Sequence, residues 1–449
     1  MGLLLTVSGT AFEALAVATV LPATVREIGG LDLYGWAFSG FMLTNLFSIP
    51  LAGRLIDRRG PARPFIAGGL LFAAGLIVAG LAPSMLVVVI GRGAQGLGAG
   101  AISSAAYVAV ARGYPPALQA RMLAMLSSAW VVPGLIGPAL AGTIADGLGW
   151  RWVFLGLAPL VAGAVSLAVP ALRRVSQPSV APDRGAAVRP ALALAAGAAA
   201  LLYGVGAGST VIGIAGVASG LGVAVPAIRM LAPHGTLRAR PGLPAAIATM
   251  ALLSFAFFGA EAFLPLALTT VRGQSTTLAG MVLTAATLAW TLGAWIQARL
   301  DAPRSRRKLA MVGLALTFAG VAGTSAVLVP TVPVVLAALT WGVSGLGIGI
   351  AYSTITLVVL GSAPAGGEGA ASSAMQLANV LGVAIGTGLG GATLWLASTH
   401  GAPTLGIACV DAGAVLAAAL GVVTARRLPA SDGRADAGQR GAACSKVST

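Results

Sequence analysis

The stretch from Leu86 to Ala111, LVVVIGRGAQGLGAGAISSAAYVAVA, constrains the chain more than any other. It is 26 residues of apolar and small side chains carrying one full charge, Arg92. About 20 apolar residues span the hydrocarbon of a bilayer, so the stretch needs lipid or a very large core around it. Arginine at the centre of a membrane helix costs about 2.5–3.5 kcal/mol on insertion scales. Nothing within the stretch neutralises Arg92, so a partner acid or a wet cavity is expected elsewhere in the fold. Gly91 to Gly96 also reads as G-x-G-x-x-G, the form of a dinucleotide fingerprint. That fingerprint needs an acid about 20 residues on for the ribose. None occurs between Asp57 and Asp146. Continued small residues at Gly98 and Gly100 instead suit close helix packing in lipid.

Only 9% of the 449 residues are charged and 57% are hydrophobic. Soluble domains carry about 25% charged residues, so the deficit points to a polytopic membrane protein. Long apolar runs place fourteen spans at 3–25, 33–53, 64–82, 85–111, 121–145, 150–172, 191–208, 210–230, 243–270, 276–298, 308–328, 331–360, 367–396 and 404–425. The seventh and eighth are Ala/Gly-rich and nearly continuous, and a twelve-span reading makes them a re-entrant or peripheral pair. The first run lacks the basic start of a signal peptide and carries Glu13 in its middle, so it reads as a span. With the N-terminus inside, 23 of the 27 Lys and Arg fall in inside segments, and only Arg26, Arg151 and Arg272 lie outside. That split puts both ends in the cytoplasm. It also assigns the +15 net charge to topology rather than to nucleic acid. His234 and His400 lie in loops away from other ligands, so no metal and no cofactor is expected. Cys409 and Cys444 make no disulfide framework.

The chain repeats itself. Glu13 returns as Glu261, Gly96–Gly100 as Gly345–Gly349, Ser127-Ser128-Ala129 as Ser372-Ser373-Ala374, Gly137 as Gly382, and the basic loop at Asp57 as that at Asp301. The offsets lie between 244 and 249 residues. Parallel six-span halves are a transporter architecture with the substrate site between them. The expected fold is therefore all-α: a half at 1–172, an insert with two extra helices at 173–242, a second half at 243–427, and a disordered polar tail at 428–449. Glu13, Arg92 and Glu261 lie well inside spans, and intramembrane ions are candidate functional sites by default. A carboxyl whose surroundings alternate between wet and dry can take up and release a proton. Asp411 lies near the outer end of the last span, where snorkelling to the interface explains it. The stretch Gly53 to Arg63, GRLIDRRGPAR, reads as a short basic loop whose Asp57 can hold a cytoplasmic gate. Gly137-Pro138 would permit a bend in the fifth span. Trp130, Phe257, Phe258, Phe263 and Trp395 are candidates to line a substrate path.

Four stretches together resemble the major facilitator superfamily, and within it the fourteen-span drug:proton antiporters. GRLIDRRGPAR resembles G-x-L-x-D-R-x-G-R-[KR], matched at Gly53, Leu55, Asp57, Arg58 and Gly60, with Arg63 one place late. IGRGAQGLGAG resembles R-x-x-Q-G-x-G-A, matched at Arg92, Gln95, Gly96, Gly98 and Ala99. PGLIGPALAG resembles the antiporter motif G-x-x-x-G-P-x-x-G-G, matched at Gly137, Pro138 and Gly142. FEALAVATVLP resembles D-x-T-V-V-N-V-A-L-P, with Glu13 in the acidic place but Leu15 and Ala18 where Thr and Asn are usual. The resemblance implies efflux of hydrophobic or amphipathic small molecules from the cell by a plasma-membrane protein. Proton antiport would drive it through Glu13, Arg92 and Glu261, and a monomer would suffice. Export of a lipid or an endogenous metabolite is the alternative; uptake fits the antiporter motif less well. A membrane enzyme would need a nucleophile–base pair or metal cluster that the spans lack.

Overall fold

The computed structural model describes residues 2–113, 122, 129, 131–175, 185–207, 209–300, 305–363 and 368–429. Ser127, Ser128, Trp130, Asp301, the side chain of Arg112, Arg121, Arg184, Arg304 and the tail from Ala430 lie outside the described residues. Among the described residues fourteen long helices account for the architecture: α1 Gly2–Ile28, α2 Tyr34–Arg59, α3 Ala62–Gly80, α4 Met85–Gly113, α5 Val131–Gly147, α6 Arg151–Arg173, α7 Gly185–Val205, α8 Thr210–Leu231, α9 Leu243–Glu261, α10 Thr276–Leu300, α11 Arg306–Thr324, α12 Val335–Gly361, α13 Glu368–Thr399 and α14 Pro403–Ala425. Each overlaps one span read from the sequence. Among the described residues, twelve stretches are long and apolar enough to cross a bilayer. The other two helices are α2, whose last turns carry Arg54, Asp57, Arg58 and Arg59, and α5, of which 17 residues are described. Apolar side chains turned outward, such as Leu160, Leu167, Val211, Met230 and Leu339, are each over 60% exposed. This surface suits acyl chains and makes the chain a multi-pass membrane protein.

The repeat is visible as repeated close contact. A Cβ on Gly96 would fall on the Phe41 carbonyl of α2, and one on Gly345 would fall on the Ala286 carbonyl of α10. Gly98 and Gly347 press likewise on Gly68 and Phe72 of α3 and on Gly313 and Thr317 of α11. Gly100 meets Asn45 where Gly349 meets Trp290. Each partner in the second half lies 245 residues beyond its counterpart in the first. Small residues let backbones approach where water gives no hydrophobic drive between helices. The glycine run of α4 is thus a packing face on two helices at once, not a phosphate cradle.

The insert helices α7 and α8 form an antiparallel hairpin of 21 and 22 residues. Gly197 packs on Gly220 and Gly204 on Gly216. Both are long enough to cross. Leu202 of α7 reaches Gly388 of α13, and α7 also packs along α2, so the hairpin lies over the seam where α2 and α13 meet.

The ends of the bundle differ in charge. At the sparse end each of the three arginines is engaged. Arg26 donates to the Thr276 hydroxyl at 3.4 Å, Arg151 pairs with Glu27, and Arg272 donates to the carbonyls of Val327, Val329 and Val332 at 2.7–2.9 Å. At the basic end Arg58, Arg59 and Arg63 are exposed.

Adding a methyl group where backbones touch should be costly. Gly98→Ala and Gly347→Ala are each expected to lose about 1–3 kcal/mol. Gly222→Ala, whose new Cβ would meet nothing within 4 Å, should be neutral or gain up to about 1 kcal/mol. Thermal unfolding of the purified variants in detergent checks the contrast.

Candidate functional site: a buried ion pair between α1 and α4

Arg92 is 2% exposed and sits in the second turn of α4, where the middle of α1 meets the first two turns of α2. Its Nη1 pairs with Glu13 Oε1 of α1 and donates to Gln95 Oε1, one turn on, at 2.5 Å. Its Nε donates to the Ala37 carbonyl of α2 at 2.9 Å, and its guanidinium lies 4.3 Å over the Phe41 ring. Glu13 is as buried as its partner. The cation is therefore met by a carboxylate, an amide, a carbonyl and an aromatic face, which together replace the water it lost. Two polar atoms stay unsatisfied: Glu13 Oε2 and Gln95 Nε2. A carboxylate holding its cation with one oxygen and baring the other has a free lone pair for a proton. Protonation there would leave Arg92 with only neutral partners.

Two of the three intramembrane ions thus come together, and Glu261 does not join them. It is the last residue of α9 and is half-buried, with no ion pair among the described residues. The chain breaks just beyond it. A short turn at Leu264–Leu266 and a π-helix at Ala267–Val271 complete the span, and the Tyr34 hydroxyl donates to the freed Ala262 carbonyl at 2.8 Å. The position answering to Arg92 holds Trp341. It is fully buried and stacks on Phe257 with centroids 4.8 Å apart. Phe258, Trp290 and Tyr352 continue this aromatic run. Phe263 is buried against Tyr34, and Trp395 is half-buried on α13.

The segment 53–63 is not a loop. Gly53, Asp57 and Arg58 belong to the last turns of α2, and Arg63 already lies in the first turn of α3. Only Gly60 and Pro61 intervene. Helix α2 runs on past the apolar stretch because Leu55 and Ile56 keep its buried face going. It stops where proline disfavours a helical residue before it and Gly60 takes φ 74°. Asp57 is 5% exposed and has a partner, whereas Arg58 and Arg63 face outward.

The Gly137, Pro138, Gly142 stretch lies on α5 between the halves. A Cβ on Gly142 would stand 2.6 Å from the Thr276 carbonyl of α10, and one on Gly280 would overlap the Pro138 carbonyl. The helix runs unbroken through Pro138. Just beyond, Asp146 accepts from the Thr277 amide at 2.8 Å, its hydroxyl at 2.7 Å and the Thr276 amide at 3.3 Å. A carboxylate of one half thereby caps the first turn of a helix in the other. Ser39 makes a second join at the sparse end, 3.0 Å from the Ala384 carbonyl and 3.2 Å from the Thr387 hydroxyl. Sequence reasoning missed Ala37, Phe41, Tyr34 and Asp146 as working parts. The first two carry no signal in an ordinary apolar helix, and the last two act across the repeat.

A family model described as Major Facilitator Superfamily matches residues 1–387. An uncharacterised MFS-type transporter of Mycobacterium tuberculosis is 30% identical over 393 residues, which is 84% of this chain but 56% of that relative. The chain therefore spans little more than half the length of this relative. Multidrug resistance protein 3 of Bacillus subtilis is 26% identical over 402 residues, 86% of this chain and 77% of the relative. Among solved structures, a bacterial homolog of the human lysosomal transporter Spinster, inward-facing and unoccupied, superposes with a TM-score of 0.67 at 15% identity. It covers 95% of this chain and 96% of its own. A D-xylose–proton symporter gives 0.65 at 15% identity, over 96% and 97% of the two chains. Such distant structures speak for the fold alone.

Breaking a buried pair from one side leaves a bare charge, and removing both does not. Glu13→Leu alone is expected to cost about 3–5 kcal/mol. Glu13→Leu with Arg92→Met should recover most of that loss in unfolding measurements on the same preparations. Asp146→Ala, which removes a cap, should weaken the closed sparse end by about 1 kcal/mol. Spin-label distances between the sparse ends of α5 and α10 should then show a larger open population.

Proposed function

The chain belongs to the major facilitator superfamily, and from that premise we propose that it is a proton-driven exporter of hydrophobic or amphipathic small molecules. The observation that carries this reading is the Glu13–Arg92 pair, nearly dry and with one carboxylate oxygen free. The relatives named for multidrug resistance support the export direction and the apolar substrate class. The excess of basic residues at one end supports placing that end in the cytoplasm and both termini with it. The plasma membrane is the matching location.

In this reading the halves rock about a central path. The joins at α2–α13 and α5–α10 close the outer side, so substrate enters from the basic end. It meets the second half's aromatic wall at Phe258, Trp290 and Tyr352, which select by size and apolarity. A proton arriving from outside lands on Glu13 Oε2 and dissolves the ion pair. Arg92 then falls back on Gln95, the Ala37 carbonyl and the Phe41 ring, and α1 is freed from α4. Glu261, beside the break in α9, is a further candidate for the proton path. Asp57, Arg58 and Arg63, with Gly53 in the last turns of α2 and the turn at Gly60, would latch the cytoplasmic side in the opposite state. A charge crossing 100 mV is worth about 2.3 kcal/mol, enough to bias such a switch by well over tenfold.

Inside-out vesicles test the proposal. Adding substrate should release protons from a preset gradient, and a panel spanning drug classes, lipids and polar metabolites identifies which compounds do so. Glu13→Gln and Arg92→Gln should abolish release while the protein remains folded. Full proton-coupled transport by both variants would refute the assignment.

A further inference from the structure

A small cavity lies in the second half near its sparse end, between α9, α11, α12 and α14. Its wall is aliphatic except at Thr324, Trp341 and Asp411. It has room for about one water molecule. Trp341 is fully buried, and its indole N–H has no partner among the described residues. The ring cannot swing to find one, because it is clamped against Phe257 at an interplanar angle of 18°. The Thr324 hydroxyl gives its proton to the Gly320 carbonyl at 2.8 Å, with the Thr340 hydroxyl 2.9 Å away. Asp411 does not snorkel. It is half-buried, with the Ser325 side chain beside it, and lines this cavity from within α14.

The chemistry of the wall limits the occupant. An occupant that satisfies both polar groups of the wall accepts from the Trp341 N–H and donates to the Asp411 carboxylate. A metal cation cannot accept from an N–H, and an anion would oppose Asp411. Water does both. We propose that Trp341 and Asp411 hold one buried water between them, and that this water-linked carboxyl is a second proton-binding site. Trp341 stands where the first half has Arg92, but the acid beside it in the cavity wall is Asp411, not Glu261, the counterpart of Glu13. Asp411 can therefore gain a proton without leaving an arginine unmatched. Among the described residues the cavity wall holds no other ionisable side chain. On neighbouring elements, Glu261 follows the wall residue Ala260 on α9, and Arg272 is tied to the carbonyls of Val327, Val329 and Val332. The part of this site in transport rests on the proton-coupled reading above; its occupancy by water does not.

The test is infrared difference spectroscopy on the full chain in lipid vesicles after an acidifying step. The wild type should show a carboxylic C=O band that is lost in Asp411→Asn. Trp341→Phe keeps an aromatic ring against Phe257 and removes the donor along with one ring of the indole. There the band should move to higher frequency, because a C=O without its water is less hydrogen-bonded. Spectra of Asp411→Asn identical to wild type would overturn the site, and so would an unmoved band in Trp341→Phe. Should Asp411→Asn fail to fold, Trp341→Phe decides alone. Substrate-driven proton release in the same vesicles separates the two readings. Release with no Asp411-dependent band overturns this site and spares the exporter. The band without release supports this site and counts against the exporter.

Discussion

An arginine held in an almost waterless place by a single carboxylate oxygen sets the terms for the rest of the molecule. Such a pair survives only if its surroundings supply what water no longer does. The surroundings here are specific: Gln95 one turn away, a carbonyl and a ring from α2, and Glu13 from α1. Helix α2 can deliver Ala37 and Phe41 to Arg92 only because Gly96 and Gly100 let its backbone close on α4. The glycine run and the ion pair are parts of one arrangement. Packing brings the partners near, and the partners make the charge tolerable.

The second half keeps the packing and discards the charge. Gly345, Gly347 and Gly349 repeat the contacts, but Trp341 fills the arginine's place and stacks on Phe257. Two halves with the same frame and different centres divide the work of the proposed exporter. In that proposal one half carries the pair that a proton would dissolve, and the other the aromatic wall that apolar cargo would meet. The halves meet at the sparse end through backbone proximity at Gly142 and Gly280 and through Asp146 on the first turn of α10. The seam also carries Tyr34, whose buried ring packs on Phe263 and whose hydroxyl holds the Ala262 carbonyl, so opening it must release that side chain as well as the close backbones.

Much of this was legible in the sequence, for physical reasons. Long apolar runs marked every helix, since lipid leaves a chain few alternatives to helix. The recurrence of G-x-G-x-G and of the acid showed the repeat, since close packing and charge burial each tolerate few residue types. That Arg92 would need an acid followed from its solitude. Which acid did not follow, because Glu13 and Glu261 occupy equivalent places and only geometry chooses between them. The segment around Asp57 looked like a loop because it is polar, yet a helix that leaves the membrane can continue in water until Gly60-Pro61 stops it. Asp411 looked like an interfacial residue from its position along α14, but its rotation about the helix axis turns it inward. The contributions of Tyr34 and Asp146 depend on residues more than 120 positions away, which local pattern cannot reach.

The central claim is that the Glu13 carboxyl changes protonation as the transporter works. Its chemical shift in isotope-labelled protein, followed by solid-state NMR in bilayers with and without substrate as pH is varied, addresses this directly. The account predicts an ionised carboxyl when substrate is bound and a protonated one when substrate is absent and the medium acidic. A carboxyl that stays ionised and bound to Arg92 under all of these conditions would contradict it.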